Sequence, residues 1–106
     1  MILTTTATIV GYRLVETKGM VRGSTIRAKH IGKDIIASLR TLVGGEIKEY
    51  TKMMAESREE ATQRMVSAAE ELGANAVIEI RFSTAMIMSN SSEILAYGTA
   101  VVIEKE

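Results

Sequence analysis

One uninterrupted amphipathic stretch, residues 46–72, limits what this chain can fold into. At ~100° per residue, Ile47, Tyr50, Met54, Ala61, Met65, Ala68 and Leu72 fall in one narrow stripe. Thr51, Ala55, Thr62 and Ala69 border it, while Lys48, Glu49, Lys52, Glu56, Glu59, Glu60, Gln63, Ser67 and Glu70 gather opposite. That is the pattern of a helix with one buried face. The pair Gly44-Gly45 precedes it, Gly73 follows it, and no proline interrupts it. The rest of the chain must supply a surface against which the stripe is removed from water.

Two helix residues depart from the pattern. Arg58 lies in the stripe, so its guanidinium either snorkels to solvent along the aliphatic stem or finds a partner in an interior or intersubunit ion pair. Met53 projects from the polar face and suggests a second contact surface, such as a neighbouring subunit.

Around the helix the chain reads as strands. Residues 1–8 are rich in β-branched side chains and suit a short strand that leads to a loop at Gly11. Residues 12–28 have strand chemistry, and Lys18-Gly19 in their middle predicts a hairpin turn, with Gly23 as a bulge or a point of close backbone approach. Ile35, Ile36, Leu39, Leu42 and Val43 predict a short helix from Asp34, whose carboxylate suits a helix N-terminus. Gly44-Gly45 then turns this helix into the long one at a tight corner.

Residues 74–84 alternate, with Ala76, Ile78, Ile80 and Phe82 opposite Val77, Glu79, Arg81 and Ser83, and Met86 and Met88 prolong the pattern. Ser89-Asn90-Ser91-Ser92 predicts a turn. In residues 93–103, Leu95, Tyr97, Thr99, Val101 and Ile103 face one way and Ile94, Ala96, Gly98, Ala100 and Val102 the other, so both faces are apolar, as in a central strand. The expected fold is α+β, one domain over residues 1–106, with an antiparallel sheet packed against one long and one short helix. A chain of 106 residues can remove roughly two-thirds of its surface from water in a single core.

Composition removes several functions. Without cysteine there is no disulfide, thiolate metal site, iron–sulfur cluster or cysteine nucleophile. Thirteen basic residues balance thirteen acidic ones and only four side chains are aromatic, which does not suit a nucleic-acid partner. No stretch approaches the ~20 apolar residues of a membrane span and no signal peptide opens the chain, so the expected location is cytoplasmic.

Few residues invite chemistry. His30 is the only histidine and Asp34 the only aspartate. Their spacing of four would aim both side chains one way on a helix, as half a metal site, although Gly32 between them favours a loop histidine beside a capping aspartate. The seven methionines suit gap filling more than soft-metal ligation. Gly44-Gly45 lacks the spacing of a phosphate loop, and no nucleophile motif is present.

Gly19-x-Val21-x-Gly23, Asp34-Ile35, Leu42-Val43-Gly44-Gly45, Tyr50, residues 72–77 (Leu-Gly-Ala-Asn-Ala-Val) and residues 97–101 (Tyr-Gly-Thr-Ala-Val), together with Thr4-Thr5, resemble the YbjQ-like family over nearly the whole chain. That family carries a heavy-metal-binding label and no established reaction. The resemblance implies an α+β subunit in a ring-like homopentamer, with strands joining across subunit boundaries. Arg58, Met53, Gly44, Gly45 and Tyr97 are then structural or interface positions. The family's alternating aspartates are replaced here by Arg81 and Ser83, so a divalent or heavy metal would have to use His30 and Asp34, with Glu79 and Glu93 as further carboxylates. The expected function is a non-enzymatic homo-oligomeric assembly or small-ligand binding protein. The alternative is a metal-ion binding protein whose ligands converge from several subunits.

Overall fold

The computed structural model describes residues 1–28, 45–88 and 91–106. Its elements are β1 (Ile2–Leu3), β2 (Tyr12–Ala28), α1 (Gly45–Glu71), β3 (Ala76–Met88) and β4 (Ser91–Lys105). The short helix expected from Asp34, together with His30 and Gly44, lies outside the described residues. Ser91 and Ser92, read as turn residues, already belong to β4.

The four strands form one sheet in the order β1-β3-β4-β2. It is mixed and not purely antiparallel, because β1 runs parallel to β3 while β4 pairs antiparallel with both β3 and β2. β4 occupies a central position, as its two apolar faces predict. The expected hairpin at Lys18-Gly19 does not form: β2 is a single strand of 17 residues. Gly19, at φ +129°, takes up an irregularity in the pairing between Thr17 and Gly19, and a second falls between Leu14 and Glu16. The glycine lets the strand bulge instead of turning back, and β4 runs alongside far enough to pair the residues on both sides.

α1 packs mainly on β2 and next on β4. The buried row is Ser57, Ala61, Met65 and Ala69, with Met54 and Ala68 partly buried beside it. This i, i+4 row is set slightly to one side of the predicted stripe, and Leu72, just past the helix end, is exposed. The small residues let the backbones approach closely. A Cβ on Gly23 would overlap the Ala61 carbonyl oxygen and the Met65 amide nitrogen, so Gly23 is the point of close approach. Thr25 Oγ1 donates to the Ser57 carbonyl oxygen at 3.1 Å and satisfies the one hydroxyl that the contact buries on β2.

The sheet has a core on each face. On the α1 face, Val21, Val77, Ile80, Ile94, Ala96 and Ala100 meet Ala61, Met65 and Ala69. On the other, Ala76, Ile78, Val101 and Ile103 are covered by Ile2, Ile9 and Tyr12. The alternation read for β3 breaks between these cores. Glu79 has φ +53°, the register shifts between Ile78 and Arg81, and Ile80 therefore joins Val77 on the α1 face and parts from Ala76 and Ile78.

Candidate functional site

The expected metal pair, His30 and Asp34, lies outside the described residues. Among the described residues no group of three or more histidine, cysteine, aspartate or glutamate side chains comes together. Glu79 is exposed in the β3 bulge, and Glu93 is half-buried on β4 beside Ile26 and Ala85. Gly45 is the first residue of α1. Arg58 is exposed, while the buried position beside it is Ser57, whose Oγ donates to the Met53 carbonyl oxygen at 3.0 Å. Met53 is half-buried.

A groove of ≈ 430 Å³ opens between β1 and the second half of α1, lined by Met1, Leu3, Gln63, Val66, Glu70, Ala74 and Asn75. Its polar groups do not converge on a reacting atom. Asn75 is a structural clamp: its Nδ2 donates to the Ile103 carbonyl oxygen at 2.9 Å, and its Oδ1 accepts from the Ile103 amide at 2.8 Å. The Gln63 amide donates to Glu59 at 3.0 Å along the helix.

Polar and aromatic positions share the sheet face turned away from α1, beyond the segment that covers Val101 and Ile103. Val21, Gly23 and Thr25 point to α1, so Arg22, Ser24 and Ile26 point the other way. Ala96 and Ala100 of β4 face α1, and Tyr97 faces with Arg22. Tyr97 is the register partner of Arg22 on one side and of Arg81 on the other. The next row has the same symmetry, with Leu95 between Ser24 and Ser83. Adjacent strands lie about 4.8 Å apart, so the two arginines sit roughly 10 Å apart at the backbone, on either side of one aromatic ring.

Their environments differ. Arg81 is held at one end of its guanidinium, where Nη1 donates to the Thr5 carbonyl oxygen at 3.0 Å and the Ile80 carbonyl oxygen at 2.9 Å. Arg22 is exposed, with no ion pair or side-chain hydrogen bond among the described residues. Arg13 by contrast pairs with Glu104, and Arg64 pairs with Glu60 at 2.6 Å and donates to the Ser24 carbonyl oxygen at 2.6 Å. Arg22 was not singled out from the sequence because a hairpin at Lys18-Gly19 would give it no fixed register with Tyr97.

Comparison with known proteins places the fold. A family model described as "Putative heavy-metal-binding", YbjQ_1, matches residues 1–104. A UPF0145 protein of Dehalococcoides mccartyi is 58% identical over 104 residues, 98% of this chain and 100% of that protein. One from Thermococcus kodakarensis is 58% identical over 106 residues, covering 100% of this chain and 94% of that one. The crystal structure of a protein with unknown function from Pediococcus pentosaceus, of the DUF74 family, matches with a TM-score of 0.66 at 20% identity over 98% of each chain.

Proposed function

Because the chain belongs to the YbjQ_1 family, described as "Putative heavy-metal-binding", we propose that it works as a cytoplasmic, non-enzymatic homo-oligomer, a pentamer, that serves as an assembly or small-ligand binding module. The observation that carries this reading is the β2 edge. β2 is the outermost strand, 17 residues long, without proline, and it exposes Leu14, Val15, Met20 and Ile26. A long strand edge of this kind is a template for pairing with another chain unless something blocks it. At the opposite margin, residues 2–6 run beside β3 as far as Ile80, and exposed Phe82, Met86 and Ile87 lie beyond that cover. Two open edges on opposite sides of one subunit suit a head-to-tail contact, and such contacts close into a ring when the rotation allows.

Native mass spectrometry of untagged protein tests this reading, with a pentamer as the expected species. A strictly monomeric protein at micromolar concentration overturns it.

A second reading follows from the family's description: metal-ion binding by ligands that converge from several subunits. A ring of five subunits multiplies every side chain near its axis by five, so a chain poor in ligands could still form a site. It requires stoichiometric metal in untagged protein that is lost on His30→Ala or Asp34→Ala. Metal-free protein, or metal retained in both variants, removes this reading.

A further inference from the structure

We propose that the margin of β3 past Ile80, residues 81–87, takes the β2 edge of a second copy of this chain, so that neighbouring sheets join by parallel strand pairing and the neighbour's α1 covers Phe82 and Met86. This names the contact for the assembly reading above and rests on it. β3 is an inner strand only as far as Ile80, where the cover by residues 2–6 stops. Every residue from Arg81 to Ile87 is exposed, and Phe82, Met86 and Ile87 are large and apolar. No proline or charge falls within residues 82–87, so the sequence does not blunt this edge against another strand. Arg81 is tied back to the Thr5 and Ile80 carbonyl oxygens and leaves the open stretch clear.

Two observations select β2 as the occupant. The first is cover. Phe82 is the register partner of Ala96, and Met86 that of Ser92, two residues from Ile94, so both belong to the face on which α1 packs. α1 lies over β2 and β4 and hardly meets β3, which leaves Phe82 49% and Met86 76% exposed. A second β3 edge would bring no helix to them, whereas a β2 edge arrives with α1 already packed on it. The second observation is level. Arg22 and Arg81 share Tyr97 as register partner, Ser24 and Ser83 share Leu95, and Ile26 and Ala85 share Glu93. The two margins therefore stand at one height on opposite sides of the subunit, and the irregularities of β2 all fall before Met20. β2 and β3 both run antiparallel to β4, so a rotation that lays one copy beside the next makes the new pair parallel. Arg64 donates to the Ser24 carbonyl oxygen in the free subunit; in the contact an amide of the neighbour's β3 takes that place and Arg64 keeps Glu60.

The test uses the absence of native cysteine. In the full chain, Ile26→Cys and Ala85→Cys place thiols on the two margins at one height, both at exposed positions. Under oxidation the double variant is expected to form covalent multimers up to the pentamer, while each single variant runs as a monomer on a denaturing gel. Dimers from Ala85→Cys alone mean that two β3 edges pair and overturn the proposal, as does a double variant that never cross-links. A second variant, Phe82→Lys with Met86→Lys, should keep the circular dichroism of the wild type and lose the assembly in native mass spectra; an intact oligomer overturns the contact. Native mass spectra of the wild type keep the two ideas apart. A wild-type oligomer with either negative result overturns only this contact, and a wild-type monomer overturns the assembly and the contact with it.

Discussion

Gly23 and Glu79 set the limits of the backbone at single positions. At Gly23 the overlapping atoms are the Ala61 carbonyl oxygen, the Met65 amide nitrogen and the Arg64 Cβ, all fixed by the α1 backbone, so a new Cβ cannot be relieved by a side-chain rotation. Gly23→Ala should force the helix off the sheet and cost about 3 kcal/mol, the upper part of the range for overpacking. Thermal and urea unfolding measure this, and a loss below ~0.5 kcal/mol would mean the helix sits further out than described. Glu79 is the reverse case. At φ +53° an L-residue pays about 1–2 kcal/mol, which Glu79→Gly relieves at the expense of ~0.5–1 kcal/mol of chain entropy. The substitution should therefore raise stability by about 0.5 kcal/mol, and a clear fall in the urea midpoint would show that the carboxylate has a compensating partner. The close approach at Gly23 was legible from its place within a strand. The left-handed glutamate was not, since nothing local distinguishes Glu79 from the other polar residues of an alternating strand.

Among the elements, α1 was the most legible, because its stripe repeats over many turns and glycines mark both ends. Its buried row still differs from the predicted one in the inclusion of Ser57 and Ala69 and the exclusion of Leu72. Periodicity gives a direction around the axis, whereas the close contact with Gly23 and Thr25 selects which row is driven in. Met65 is fully buried at the centre of that row, so Met65→Ala should lower stability by about 2–5 kcal/mol in equilibrium unfolding. The segment before β2 behaves as an element too. Thr4 exchanges backbone hydrogen bonds with Val77 and Ile80 at 3.1 Å each, and Ile2 and Ile9 cover the second core. Removal of residues 1–8 takes away Ile2 and the Thr4 hydrogen bonds while leaving Ile9 and Tyr12, and should partly uncover the second core, lower the melting temperature and increase binding of a hydrophobic dye. An unchanged melting temperature would show that this cover is dispensable.

For the whole molecule, the outlying apolar residues on β2 and β3 matter most, because a contact between copies links stability to concentration. If the ring forms, the melting temperature should rise with protein concentration, and a value constant over a hundredfold range counts against assembly. The α+β class, the long helix, the central β4 and the family were all in the sequence, for one physical reason. Each rests on patterns read within a segment: the helical and strand periods, the glycines that end them, and short motifs in a fixed order. The parallel pairing of β1, the unbroken β2, the reversal of faces at Glu79 and the row of Arg22, Tyr97 and Arg81 were decided only by the tertiary structure. Each depends on which distant strand lies alongside and in what register, and a shift of one residue in that register moves every side chain to the opposite face.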